Sequence, residues 1–369
     1  MKNVIVIGGG LSGLISAIRL AKAGIEVTLF ERKKYPFNRV CGEYISNETV
    51  PFLKANGLYP ELFQPSQIQQ LQLTSVNGKS AELSLKVGGF GVSRYLFDYF
   101  LFEKAKEVGV TMHENTEVEQ IVFEDDHFMV KTNTQSFKSD LVIGSFGKRS
   151  KLDVTLHRNF IQKHSPYVGV KYHVKSNHPR DLIALHNFKD GYCGVAAIED
   201  EKTNICYLTH RDNVKRFKNI PEMEQSVLYQ NPFLKTIFTE SEFLFERPEV
   251  INEISFETKS PIENHILMSG DAAGMITPLC GNGMAIAVHS AKMVSELAIS
   301  FCKGETTRTE TENGYKAKWT SQFATRLWAG RKIQHLFGDE WSSNFAVSLA
   351  RHAKPLANYL VSQTHGNPF

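Results

Sequence analysis

The sequence predicts an α/β protein in which a parallel sheet carries an inserted antiparallel sheet and the chain ends in helices. Three observations predict it. Residues 2–32 run strand, glycine-rich turn, helix, strand; segments between Phe160 and Tyr207 repeat as strands separated by turns; and Thr311 to Phe369 is helical in pattern.

The first unit reads KNVIVIGGGLSGLISAIRLAKAGIEVTLFER. A β-branched run, Asn3 to Ile7, leads into Gly8-x-Gly10-x-x-Gly13, a helical pattern follows to Gly24, and Glu26 to Phe30 forms a second strand ending on Glu31. The three glycines serve different ends. Gly8 permits the tight turn, Gly10 lets a pyrophosphate approach the backbone, and Gly13 lets the helix pack closely on the sheet. The helix N-terminus offers free N–H groups and a positive dipole to phosphates. Glu31 can accept hydrogen bonds from ribose hydroxyls and repels a 2′-phosphate, so the unit predicts NAD or FAD rather than NADP. Its candidate cofactor residues are Gly8, Gly10, Leu11, Ser12, Gly13, Glu31 and Arg32. A secretory signal would need only an apolar block and a small-residue cleavage site; the ordered strand, turn, helix, strand and acid argue against one.

Composition narrows the function classes. The 369 residues are 42% hydrophobic and 22% charged, which suits a globular chain with a large core. A net charge of +3 is too mild for a nucleic-acid partner. The five cysteines are scattered and lack any CxxC pair, so neither a disulfide framework nor a zinc site is expected, and a reducing cytoplasm is the expected location. No uninterrupted apolar run reaches the length of a membrane span.

Along the chain, Pro36 and Gly42 mark a loop, Thr49 to Phe63 reads as helical, and Ile68 to Ser84 alternates around Asn77-Gly78 as a hairpin. Gly88-Gly89-Phe90-Gly91 reads as a loop. Ser93 caps a helix from Arg94 to Val108, which Gly109 ends. Strands follow at Val110 to Met112, Val118 to Phe123, Phe128 to Lys131 and Asp140 to Gly147. Asn213 to Phe238 reads as helix interrupted near Pro221 and Pro232, and Phe243 to Phe256 returns to the sheet.

His265 to Met268 leads into Gly270-Asp271-Ala272-Ala273-Gly274, then Pro278-Leu279-Cys280-Gly281-Asn282-Gly283-Met284 and a long helix to about Phe301. Asp271 at a strand end can accept hydrogen bonds from ribitol hydroxyls, and the glycines admit backbone N–H groups to a flavin edge. NAD dehydrogenases have no ribitol to hold. The segment therefore decides for FAD, with Asp271, Gly281, Gly283 and Met284 as contacts.

With the amino-terminal unit and this last segment, Arg39-Val40-Cys41-Gly42-Glu43-Tyr44-Ile45-Ser46 resembles the geranylgeranyl reductase branch of the FAD-dependent monooxygenase superfamily, the p-hydroxybenzoate hydroxylase fold. The resemblance implies a Rossmann-type FAD-binding domain formed by 1–64, 88–159 and 250–302, a substrate-binding sheet formed by 65–87 and 160–249, and a helical region over 303–369. It implies that Arg39 contacts FAD, that Cys41 lies near the isoalloxazine, that Arg94 reaches the FAD phosphate and ribose, and that Val118 places backbone against the adenine. Cys41 is the catalytic candidate, against the commoner fate of a free cysteine as a small buried thiol.

Two departures matter. The family's second motif, Gly-x-Asp-Gly followed by Ser, reads here Gly144-Ser145-Phe146-Gly147 with Ser150, and an apolar ring cannot accept the hydrogen bonds of the missing aspartate. NAD(P)H as reductant is therefore left open. In the lid, Tyr192-Cys193-Gly194-Val195-Ala196-Ala197 stands where reductases of this branch carry aromatic-x-Trp-x-Phe-Pro and flavin halogenases Trp-x-Trp-x-Ile-Pro; tryptophan and proline are both missing.

The expected function is an FAD monooxygenase acting on an apolar or aromatic small molecule. The alternatives are a reductase of prenyl or lipid C=C bonds and an FAD-bound protein without turnover. His164, His173, His186 and His210 lie in or near the lid strands and are read as core or surface groups. Trp319, Phe323, Leu327, Trp328, Leu336, Phe337, Trp341 and Phe345 form an apolar stripe read as core; the other reading is a membrane-surface or substrate-channel face rimmed by Arg326, Arg331, Lys332, Arg351 and Lys354.

Overall fold

The computed structural model describes residues 2–163, 165–252, 254, 256–277, 281–334 and 337–369, with the side chains of 333 and 334 left out. His164, Pro278, Leu279, Cys280 and Leu336 lie outside the described residues.

The first strand, β1 (Asn3–Ile7), is flanked in parallel by β2 (Glu26–Phe30) and by Leu141–Gly144. Ile266–Met268 continues the sheet parallel to Leu141–Gly144, and Thr111–His113 lies beyond β2. Val4 through Ile7 are all buried, as in a parallel strand covered on both faces, so the strand reads as a continuous apolar run without alternation. The crossover helix α1 (Leu11–Lys22) packs on the helix Gly283–Cys302. By length and overall composition that second helix could cross a membrane, although His289, Lys292 and Glu296 interrupt its apolar run. Here it is mostly buried, packed against α1 and the helix Arg308–Gln334.

The lid is a nine-stranded sheet, almost wholly antiparallel, built on Tyr167–Lys175, Lys202–His210, Gly191–Ala197, Leu182–Phe188, Ser66–Thr74 and Ser80–Gly91. Successive side chains point to opposite faces. Lys171, His173 and Asn204 face the loop at 39–43, whereas Tyr172 and Tyr207 face the helix Ile220–Val227 and donate to its buried Glu224 at 3.0 and 2.7 Å. Burial pushes the Glu224 carboxyl up to about 7. Pro221 and Pro232 start helices instead of interrupting one, because the first helical turn needs no N–H from them.

Gly88-Gly89-Phe90-Gly91 corrects the expectation of a loop: it ends the strand Ser80–Gly91 and pairs with both Ser66–Thr74 and Tyr44–Ser46. A side chain at Gly89 would strike the Tyr44 ring and one at Gly91 the Ala197 carbonyl, so here glycine marks close strand packing. This strand runs past the division expected at 87, and Tyr44–Ser46 joins the lid although it lies within 1–64.

The C-terminal aromatic stripe divides. Trp319 and Phe323 are core, whereas Trp328, Trp341 and Phe345 are 57%, 77% and 50% exposed. The stripe spans separate helices, Arg308–Gln334 and Glu340–His352, and the second turns Ala346, Val347 and Ala350 onto the outer lid strands, leaving its bulky aromatics outward. Arg326 is no rim residue: it is buried and donates to Glu48 at 2.8 Å.

Lid and parallel-sheet domain are tied by Glu43, which is fully buried with φ 55°. One carboxylate oxygen accepts from Lys171 Nζ at 2.5 Å and from the Arg94 N–H at 2.7 Å; the other lies 2.6 Å from His173 Nε2. Burial pushes this carboxyl up, but Lys171 and His173 outweigh it and hold it down at about 2.

This packing makes two predictions. Phe323→Ala should cost about 3–5 kcal/mol and Trp341→Ala within about 0.5 kcal/mol in urea unfolding; equal losses would contradict the division of the stripe. Glu43→Gln should cost about 3–5 kcal/mol at neutral pH, since it leaves a buried cation unpaired. A depressed carboxyl stabilises fully above its unfolded pKa, ~4.3, and loses that contribution as pH falls toward about 2. The gap between wild type and variant should therefore close across that window; a gap that stays constant through it would show that the Glu43 charge is not the source.

Candidate functional site

A cavity of about 520 Å³ lies where the parallel strands end against the lid. Gly8, Gly10, Leu11, Ser12, Glu31, Arg32, Arg39, Cys41, Arg94, Val118, Asp271, Gly281, Gly283 and Met284 all line it, drawn from segments more than 250 residues apart. Gly13 does not line it; a Cβ there would overlap the Gly8 carbonyl oxygen, so this glycine serves helix–strand contact.

Gly8 has φ +100°, and a Cβ on it would strike the Ser145 carbonyl oxygen. At Gly10 a Cβ would meet only the Arg94 guanidinium, at 3.5 Å, so backbone is bare toward the cavity. Gly10 is the N-cap of α1 and Asn282 the N-cap of Gly283–Cys302; neither helix has a side-chain cap or an acid in its first turn. Two helix N-termini thus open on one cavity with their first N–H groups uncapped by side chains, an arrangement suited to a ligand with negative charge. They are tied together by hydroxyls: Ser12 Oγ contacts Ser269 Oγ at 2.5 Å, and Ser269 Oγ contacts Ser290 Oγ at 3.1 Å.

At the end of β2, Glu31 is buried and accepts from the Gly9 N–H at 2.9 Å and the Lys33 N–H at 3.0 Å. Arg39 reaches Glu31 at 3.2 Å and Asp98 at 2.8 Å, and Arg94 grips both oxygens of Asp98 at 2.6 and 2.8 Å. Asp98 therefore fixes both arginines at the rim. The Arg94 guanidinium also lies beside Cys41, whose carbonyl accepts from Asn204 of the lid at 3.2 Å. Ser145 Oγ is buried without a hydrogen-bond partner at the cavity floor. Uncapped N-termini, a buried acid at the end of β2 and an orphaned hydroxyl together fit a large dinucleotide such as FAD.

The same cavity has an apolar side, a chamber lined by Ile183, Leu185, Leu208, Ile251, Ile254 and Met275, most of which pack together as one cluster. Phe146 is half-buried and packs on the main core, as an apolar ring in the acid's place should.

Several site residues carry no motif. Lys148 lines the cavity, and burial lowers its ammonium against the opposing pull of Asp271. Buried Lys259 donates to the carbonyls of Lys148 at 2.7 Å and Asp271 at 2.9 Å, pinning the second and third motif segments together; burial holds it down at about 8. The only sequence signal is the Lys148-Arg149 pair following Gly147.

Of the lid histidines, His173 is bound to Glu43. His186 is buried against Phe233 with Nδ1 3.0 Å from Thr74 Oγ1, and burial holds it down at about 3. His210 caps the helix Arg211–Arg216, so none of these three projects into the apolar chamber. Cys41, Cys193, Cys206 and Cys302 are free thiols, and among the described residues no His, Cys, Asp and Glu group could hold a metal.

A family described as "FAD binding domain" matches residues 1–315. Among relatives, a digeranylgeranylglycerophospholipid reductase of Methanosarcina acetivorans is 24% identical over 337 residues, covering 86% of this chain and 80% of the relative. Conditioned medium factor receptor 1 of Dictyostelium discoideum is 22% identical, covering 96% of this chain and 71% of the relative. Among solved structures, a geranylgeranyl bacteriochlorophyll reductase-like protein from Thermoplasma acidophilum superposes with TM-score 0.79 at 15% identity, covering 100% of this chain and 96% of its own. The flavin-dependent halogenase CmlS superposes with TM-score 0.79 at 19% identity, covering 99% and 68%; at such identities the likeness establishes the fold. With the cavity's two helix N-termini and the buried Glu31 at its edge, the match over residues 1–315 places the chain in the FAD binding domain family, as an FAD-dependent oxidoreductase.

Proposed function

We propose that this flavoenzyme hydroxylates an apolar or aromatic small molecule. The observation that carries the reading is the apolar chamber of Ile183, Leu185, Leu208, Ile251, Ile254 and Met275, continuous with the cofactor cavity and walled by the lid. Bound FAD, once reduced, supplies the electrons and the activation of O₂ that hydroxylation needs.

The chain's own residues do the rest. Gly8, Gly10, Leu11 and Ser12 offer bare backbone and a helix N-terminus to the pyrophosphate, Glu31 and Arg32 flank the adenosine ribose, and Val118 borders the adenine. Arg39 and Arg94, held by Asp98, close the phosphate side. Asp271 serves the ribitol, and Gly281, Gly283 and Met284 bring the second helix N-terminus to the flavin ring. Cys41 borders the ring on the lid side, where the chamber walls exclude water and hold the substrate by burial of apolar surface. Phe146 accepts no hydrogen bond, so a reductant other than NAD(P)H fits as well.

A second reading, reduction of C=C bonds in a prenyl or lipid substrate, is favoured by the Cys41-Gly42-Glu43 loop and by the reductases among the sequence relatives. The two separate cleanly. With chemically reduced enzyme and ¹⁸O₂, a panel of alkylphenols and polyketide-like aromatics should yield product carrying the label; saturation of a prenyl substrate under strict anaerobiosis would establish the second reading and end the first.

Cofactor binding can be tested separately. Glu31→Ala should weaken FAD binding about tenfold or more, the loss of one charge-assisted hydrogen bond of about 1.5–3 kcal/mol, in fluorescence titration of apoprotein. Unchanged affinity would remove Glu31 from the site.

A further inference from the structure

The helices Glu340–His352 and Lys354–Ser362 both pack on the lid strand Ser80–Gly91. What they bury there is small: Ala346, Val347 and Ala350 of the first and Ala357 of the second join one cluster with the strand residues Leu71, Leu73, Ala81 and Leu83. At 3.6 residues per turn, Trp341 and Phe345 point away from that cluster on the first helix and Tyr359 on the second, with Leu356 on its flank. Leu356 and Tyr359 are 50% and 59% exposed, like the two aromatics before them. Trp341 and Phe345 stand one turn apart with parallel rings, centroids 6.0 Å and planes 6° apart, and so make one flat apolar plate. Single exposed apolar side chains are ordinary; four large ones on the outward face of a helix pair mark an interaction surface.

The charge around this face has one sign. From Thr311 to Phe369 seven Lys and Arg stand against three acids, a net +4 in a chain of net +3, so the remaining residues sum to −1. Asp339 and Glu340 are spent on the helix start, where Asp339 accepts from the Ser342 N–H at 3.0 Å, and residues 341–369 hold no acid at all. Arg351 and Lys354 are both exposed at the junction of the two helices, between Phe345 and Leu356. Arg351 is set in place by its Nε, which donates to the Ser80 carbonyl at 2.5 Å.

These two properties select the occupant. A second copy of the chain meeting this face across a two-fold axis would press Arg351 and Lys354 against their own copies, a like-charge contact that opposes association. An anionic lipid surface answers both properties at once: its phosphates take the basic residues, and the boundary below them suits amphipathic Trp and Tyr rings. We propose that the helix pair is a membrane-surface site, lying in the plane of an anionic bilayer with Trp341, Phe345, Leu356 and Tyr359 in the headgroup boundary and Arg351 and Lys354 on lipid phosphates. The chamber residues Ile183 and Leu185 pack against the inner cluster of the same helices. A docked bilayer therefore lies about one helix diameter, ~10 Å, from the chamber wall. Docking of this kind requires neither the hydroxylation nor the reduction reading.

The test is flotation of the FAD-loaded full chain with vesicles of phosphatidylcholine alone and of phosphatidylcholine and phosphatidylglycerol in equal parts. Wild type should bind the mixed vesicles about tenfold or more tightly than the neutral ones, and added salt should erase that difference. Trp341→Ala combined with Phe345→Ala should weaken binding to the mixed vesicles about tenfold or more, with FAD content and urea midpoint unchanged. Arg351→Gln combined with Lys354→Gln should remove most of the preference for the anionic vesicles. Wild type that stays with neither vesicle overturns the proposal, as does binding that survives in the aromatic double variant. A dimer in sedimentation that the aromatic substitutions break, without flotation of wild type, would assign the face to a second copy and overturn it too.

Discussion

The architecture depends on one buried carboxylate. Glu43 sits on the loop between the parallel-sheet domain and the lid, with no solvent contact, and its two oxygens are shared among Lys171, His173 and the Arg94 backbone. Taking these charges out of water is expensive, and an apolar trio of the same volume could pack with equal or greater stability. What apolar packing would not supply is register. Lys171 and His173 are two residues apart on one strand and so share a face, with Glu43 below them; a two-residue slide of that strand would leave a buried charge bare. The ion cluster thus fixes where the lid stands over the cofactor cavity, and with it the distance from the Cys41 loop to the apolar chamber. It also sustains the positive φ of Glu43, which a side chain of this size adopts only when its surroundings enforce it.

A second cluster sets the floor. Lys259 binds no carboxylate at hydrogen-bond distance among the described residues; it ties two backbone carbonyls, those of Lys148 and Asp271, and stacks over Phe160 at 4.3 Å. Burial lowers this ammonium to about 8, so at neutral pH the tie is still held mostly by the charged form. Its effect is to lock the segments after strands Leu141–Gly144 and Ile266–Met268 into one surface facing the lid. Cavity walls made of loops need such cross-ties, since loops lack the repeating hydrogen bonds that hold strands in place.

The cofactor half is legible in the sequence because its chemistry uses backbone. Bare N–H groups at a helix N-terminus and a turn with positive φ demand glycine at fixed spacing, which leaves Gly8-x-Gly10-x-x-Gly13 and Gly281-x-Gly283 as contiguous marks. Gly88-Gly89-Phe90-Gly91 shows the limit of that logic. Glycine there answers a steric demand from Tyr44 and from the Ala197 carbonyl, both remote in sequence, so local pattern reads as a loop what is a strand. Lys259 and the lid partners of Glu43 are illegible for the same reason: Lys259 reaches the Lys148 carbonyl, and Lys171 and His173 reach Glu43, across more than 100 residues. The C-terminal aromatics mislead differently, since composition marks a stripe as apolar without saying which helix turns it inward.

The substrate half is hardest to read, and the cause lies in strand geometry. A cavity wall made from an antiparallel sheet takes every second residue from several strands, so Ile183, Leu185 and Leu208 contribute to one surface without forming a word in the sequence. Exchanging any of them for another apolar residue preserves fold and cofactor site while reshaping the chamber. That freedom explains how proteins with 14–19% identity share this scaffold at TM-scores of 0.74–0.79 under names as different as halogenase, brominase and reductase-like protein. In such a scaffold the reaction follows from the few polar groups that breach the apolar wall, because they alone orient a substrate toward the flavin.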